Sequence, residues 1–175
     1  MPQAQRIADP AATLTGSMTG EDDAGTRAEG AQFLTFICAG EEYGIDILRV
    51  QEIKGWSGST RVPHAHHYVL GVMNLRGVIV PVIDLRIRFG LPQRPVDAST
   101  VVIVVRVHSA SGEKTIGIVV DAVSEVYAFS PDAIKPPPSI GGRVDDACVC
   151  GLASADAKMV MLLDIDKLTA GLLGD

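Results

Sequence analysis

The sequence predicts an all-β fold, built as small barrels or a sandwich. Three observations lead there. Between Phe33 and Leu168 the apolar runs are dominated by Val and Ile, whose branched side chains suit pleated strands. These runs are short, about nine or ten in number, and separated by turn residues at short intervals. They do not alternate with long helical patterns, as a parallel α/β sheet would require.

The strands follow one another in hairpins. Residues 33–38 are an apolar run, and Ala39-Gly40-Glu41-Glu42 is a polar turn. Tyr43, Ile45 and Ile47 then fall on one face of the returning strand. Leu48, Val50 and Ile53 are spaced more like a helical turn, ended by Gly55. Arg61-Val62 is extended because Pro63 follows. Residues 65–70 read as a short helix with Gly71 as its C-cap. Residues 72–75 and 78–83 form a hairpin around Arg76-Gly77, and Pro81 inside it implies an edge or bulged strand.

Residues 90–99 are a polar, proline-containing connector near the midpoint of the strands. Beyond it, 100–107 and 115–120 pair across a turn over 108–114. Residues 122–128 continue as a strand with Val123 and Tyr127 on one face. A loop carries Pro136-Pro137-Pro138 and Gly141-Gly142. The last strands are 149–153 and 159–163, and Asp164 caps a final helix over 165–173. Each half of the chain is too small for a large core of its own, so the halves are expected to pack together and leave a groove.

Residues 1–30 differ from the rest. They hold no Phe, Tyr or Trp, and their large apolar residues are sparse. Such a stretch buries too little to offset its ordering entropy and reads as a disordered tail, leaving 31–175 as the folded domain, with subdomains split near 90–99.

Composition narrows the function. The net charge is −6, and no run of Lys or Arg forms a basic stripe. Nucleic acid and anionic membrane surfaces are disfavoured partners, since both need clustered cations. No apolar run approaches the roughly 18 residues of a bilayer span, and no signal peptide is visible, so a cytoplasmic protein without direct membrane insertion is expected. Cys38, Cys148 and Cys150 are an odd, irregular set, best read as reduced thiols.

Catalytic motifs are missing: there is no phosphate loop, dinucleotide fingerprint, nucleophile elbow or paired-histidine zinc motif. His64, His66 and His67, with Cys148 and Cys150 far downstream, could suit zinc by ligand type. Their spacing favours a solvated or helix-capping group, so neither metal nor cofactor is expected. Trp56, the single tryptophan, is either a cap on the core or an exposed anchor. Arg76 is an ordinary solvated turn residue unless the turn projects its planar donor fork toward a partner.

Four segments carry a family resemblance. The run from Gly71-Val72-Met73-Asn74-Leu75-Arg76-Gly77 through Val78-Ile79-Val80-Pro81-Val82-Ile83-Asp84-Leu85 resembles the central motif of CheW proteins. Glu42-Tyr43-Gly44-Ile45-Asp46-Ile47 with Val50-Gln51-Glu52-Ile53 is similar to the family's first hairpin. Gly117-Ile118-Val119-Val120-Asp121-Ala122-Val123-Ser124-Glu125-Val126 and Leu162-Leu163-Asp164-Ile165-Asp166-Lys167-Leu168 resemble later segments. The matches run in order from about Gln32 to Leu168.

The resemblance implies two five-stranded, SH3-like barrels and a non-catalytic adaptor of chemotaxis. Its implied partners are the cytoplasmic tip of a chemoreceptor, which is a helical hairpin, and the regulatory domain of the histidine kinase CheA. The adaptor would then be recruited to membrane-bound receptor clusters. The implied receptor-facing residues are Val50, Glu52, Gly71 and Arg76, with Val101, Gly117, Val123 and Val126 lining a groove from the second half. No kinase-contact residues carry over. A CheW-like adaptor of a motility or developmental array is the alternative. Room for a receiver domain is lacking, and no kinase segment is present.

Overall fold

In the computed structural model, residues 5–7, 30–138 and 146–172 are described. They form two sheets. The first contains β2 (Ala31–Cys38), β3 (Glu41–Asp46), β9 (Ala122–Phe129), β10 (Val149–Ala155) and β11 (Lys158–Leu163). The second contains β4 (Val50–Gly55), β5 (Val69–Leu75), β6 (Val78–Asp84), β7 (Val101–Ser109) and β8 (Gly112–Val120). The strand orders are β9-β2-β3-β11-β10 and β4-β7-β8-β6-β5. A further short strand, β1 (Gln5–Ile7), pairs antiparallel with the free side of β9 at Val126–Ala128. The rest of the N-terminal stretch read as a tail lies outside the described residues, as does the Gly141-Gly142 part of the later loop.

The two orders are the same pattern written twice. In each sheet a hairpin (β2-β3 or β7-β8) pairs in parallel with the final strand of another hairpin (β11 or β6). In each, the hairpin's other side takes an antiparallel strand (β9 or β4). The chain is therefore a structural duplication, β2 to β6 repeated as β7 to β11. Register confirms it: Gly44 lies between Thr35 and Leu162, and Gly117 lies between Val104 and Val82.

The connector at 90–99 is free of strands, but it does not separate the sheets. It joins β6 to β7, which belong to the same sheet. The subdomain split expected there is corrected: the repeats exchange their first hairpins, so each sheet draws strands from both halves. The halves do pack together, as expected from their small size. The main core runs from one sheet into the other, with Phe36, Tyr43 and Ile45 meeting Ile83, Ile103, Ile116 and Ile118. All are buried, and Phe89 closes against Tyr43 with ring centroids 5.3 Å apart.

Several local readings change. Residues 65–70 are not a helix; a turn at 67–68 leads into β5, which begins at Val69. Gly71 is a strand residue at φ +138, beside a register shift against β6, rather than a C-cap. The helical turn at 48–53 shrinks to a 3-10 turn at Ile47–Arg49, followed by β4. Strand β6 is not an edge, since it pairs with β5 and β8; Pro81 is tolerated because the ladder to β8 starts at Val82. The turn after β7 is tighter than read, with Ser109 already opposite Gly112. Val123 and Tyr127 do not share a face. An extra residue of β9 between Val126 and Val123, opposite Leu34 and Phe36, sends Val123 to the main core and Tyr127 to a second cluster. The final helix α2 covers only Ile165–Leu168, with Asp164 accepting from the Asp166 and Lys167 amides.

Helix α1 (Leu85–Arg88) repeats this arrangement, with Asp84 as N-cap to the Ile87 amide. Each helix fastens the two sheets through a bidentate ion pair. Arg86 donates Nε and Nη2 to Asp121 at 2.8 and 2.6 Å, and the same carboxylate accepts the Ala39 amide at 2.9 Å. In the other repeat Asp166 accepts Nη1 and Nη2 of Arg49 at 3.1 and 2.6 Å, and the His108 amide at 2.8 Å. The plan is the same, a bidentate guanidinium and one backbone amide on each carboxylate, and the polarity is reversed: the helix supplies the cation in one clasp and the anion in the other.

Candidate functional site

The hairpin of β5 and β6 turns through two residues, Arg76 at φ 52 and Gly77 at φ 87. Two consecutive positive φ values match the twist of the flanking strands and make the turn rigid. Asn74 Oδ1 accepts the Gly77 amide at 2.7 Å and holds the loop further. The Arg76 side chain is 80% exposed, and its guanidinium meets Glu52 at 2.9 Å. Strands β4 and β5 are opposite edges of one sheet, so this contact shows the sheet curling into a barrel. Val78 and Ile79, just past the turn, are also exposed. The tip thus joins a fixed cation to apolar surface.

The remaining residues named from sequence lie elsewhere on the same frame. Val50 and Val123 are partly buried against the main core, in β4 and β9. They occupy equivalent places in the two repeats, opposite Val105 and Phe36. Val101 also packs on this core from the start of β7. Val126 is only 5% exposed, so packing is its main work. A Cβ at Gly117 would sit 2.8 Å from a Val102 methyl, so this glycine lets neighbouring strands' side chains close over β8. A Cβ at Gly71 would lie 2.1 Å from the Thr60 carbonyl oxygen. The backbone that Gly71 admits is therefore that of the chain's own loop, bridged at Thr60–Val72.

Other sequence candidates resolve simply. Trp56 packs beside Val82, Val102 and Val119, capping the core of the second sheet. The three cysteines are free. Burial pushes the Cys38 thiol up to about 12, with Asp121 nearby adding to the shift, so it stays protonated and unreactive. Among the described residues no group of three His, Cys, Asp or Glu side chains is placed to hold a metal. His64, His66 and His67 lie in the loop before β5 instead of on a helix.

Sequence reasoning missed the clasps and the duplication behind them. The signal was present as Val82-Ile83-Asp84-Leu85 against Leu162-Leu163-Asp164-Ile165, two apolar pairs each followed by a helix-capping Asp.

Two curled sheets, a shared core and an exposed charged hairpin tip define a β-barrel scaffold. Comparison with known proteins agrees. Residues 32–172 match the CheW-like domain. The chain is 43% identical to the chemotaxis protein CheW of Klebsiella aerogenes, over 79% of this chain and 81% of that protein. It is 30% identical to the CheW of Bacillus subtilis, over 79% and 86% respectively. The crystal structure of the scaffolding protein TtCheW from Thermoanaerobacter tengcongensis superposes with a TM-score of 0.73 at 34% identity, covering 81% of this chain and 93% of that one. The chain belongs to the CheW family, whose members are non-catalytic adaptors.

Proposed function

We propose that this chain couples the cytoplasmic tips of chemoreceptors to the histidine kinase CheA, as a scaffold recruited to receptor clusters. The observation that carries this reading is the Arg76 tip. A planar guanidinium on a rigid hairpin, beside exposed Val78 and Ile79, offers a receptor helix both a charge contact and an apolar stripe. Glu52 orients the guanidinium from the side. Val50 and Val123 extend apolar surface at the margin of the inter-sheet core. Val101 and Val126 support that margin from beneath, Gly117 lets Val82 and Val102 close the second sheet's own core, and Gly71 fixes the loop beside the hairpin. No helix among the described residues is long and apolar enough to cross a membrane, so attachment to a receptor would supply the membrane location.

Calorimetric titration with a receptor cytoplasmic fragment tests this. Arg76→Ala should weaken binding by about 30-fold, equivalent to about 2 kcal/mol. Glu52→Lys should also weaken it, by turning a pair into a repulsion beside the contact. Unchanged affinity in both variants would refute the assignment of the tip to the receptor.

A further inference from the structure

The loop between β4 and β5 and the connector at 90–99 enclose two adjoining cavities that the scaffold reading leaves unused. The first, of about 230 Å³, has Arg61, Arg86 and Arg94 in its wall, against Asp84 and Asp121. The second, of about 300 Å³, is lined by Arg61, His64, His66 and His67 and by no carboxylate. Arg61, Leu70 and Gln93 belong to both walls, so the cavities lie side by side along one groove, with these residues between them.

The charge in this groove opposes that of the molecule. The chain carries −6 overall, yet one stretch of its surface gathers an arginine and three imidazoles without an acid. Arg86 is committed to Asp121, and Arg94 to Asp97. Arg61 has no hydrogen-bond or ion-pair partner among the described residues, so its donor fork is open to a ligand. The histidine rings are held in place: His66 stacks on Tyr68 with centroids 5.2 Å apart, and His67 meets the same ring edge-on at 5.5 Å. His64 sits in a turn at φ 61, a left-handed conformation in which His is enriched.

We propose that this groove binds a phosphate-class oxyanion, with Arg61 as the principal cation and the imidazoles as additional donors. A guanidinium fork matches two oxygens of a phosphate. A tetrahedral phosphate has enough acceptor positions for the fork and several imidazole N–H groups at once. A metal cation is a poor occupant, because Arg61 would repel it. The second cavity is larger than one oxyanion, leaving space for the organic part of a phosphate monoester.

The test is a titration of the full chain with inorganic phosphate and, separately, O-phosphoserine, at constant ionic strength. The imidazole resonances of His64, His66 and His67 are followed by NMR. They should shift saturably. Arg61→Ala should weaken binding by about tenfold or more, while Lys54→Ala, which removes the same charge from exposed β4, should leave it unchanged. Tighter binding of O-phosphoserine assigns the site to a monoester, and tighter binding of inorganic phosphate assigns it to the free ion. Shifts that never saturate, equal binding of acetate, or an unaffected Arg61→Ala variant would overturn the proposal.

Discussion

Gly71 and Arg76 stand five residues apart and do opposite work. Gly71 serves the fold: its φ is positive, and a Cβ there would fall 2.1 Å from the Thr60 oxygen, so no side chain has a place. Gly71→Ala should cost about 3 kcal/mol, lowering the melting temperature by roughly 6–12 °C. Thermal unfolding followed by circular dichroism checks this, and an unshifted midpoint would mean the loop gives way at no cost. Arg76 serves the surface. Its ion pair with Glu52 is exposed, and such pairs stabilise a fold by at most about 1 kcal/mol. Arg76→Ala should therefore move the melting temperature by no more than roughly 4 °C while affecting binding far more. At this scale the sequence was readable for Arg76, since an Arg-Gly pair between two apolar runs marks a hairpin tip. It misled for Gly71, because a close approach from a loop about ten residues away leaves no local pattern.

At the scale of elements, the two helices with their clasps join the sheets. Burial raises the carboxyl of Asp121, but hydrogen bonds from Arg86 and the Ala39 amide outweigh it and hold the group below its ordinary range. Asp166 behaves the same way: burial raises it, but hydrogen bonds from Arg49 and the His108 amide outweigh it and hold the group below its ordinary range. A depressed carboxyl contributes stability that is complete above its unfolded pKa, about 3.9, and is lost as pH falls toward the folded value. Asp84 acts in the opposite sense, since burial outweighs its amide hydrogen bonds and leaves its carboxyl raised. Stability should stay level from neutrality down to about pH 5 and fall below about pH 4. Asp121→Asn should start less stable and lose less on acidification; an acid profile identical to that of the parent chain would contradict the clasp. Arg86→Ala, which strands a largely buried carboxylate, should cost about 3 kcal/mol in denaturant unfolding at neutral pH. Arg49→Ala, at the more open clasp, should cost nearer to about 1 kcal/mol. Hairpins were the legible elements, because period-two alternation and turn residues are local. The 3-10 turn and β4 were harder to separate, since the β9-like irregularity between Val50 and Glu52 breaks the alternation there.

At the scale of the whole molecule, exchanged hairpins make the two barrels one unit. Neither half of the chain supplies a complete sheet, and the main core has contributions from both. The midpoint connector was visible in the sequence, as were the five strands after it and four of those before it; β4 was read as a helical turn. Which hairpin joins which sheet could not, because exchange depends on the parallel pairings of β3 with β11 and β6 with β8, between strands far apart in the chain. For a scaffold this interlocking has a mechanical consequence: the two sheets share a core and two clasps, so partners bound to different sheets would sit at a fixed relative position.

The most direct test of the scaffold reading is size-exclusion chromatography of the full chain mixed with a receptor cytoplasmic fragment and the CheA regulatory domain. A single complex containing all three proteins is expected, and it should lose the receptor fragment when Arg76→Ala replaces the parent chain although the variant melts normally. Three components that elute separately, or a complex indifferent to Arg76→Ala, would contradict it.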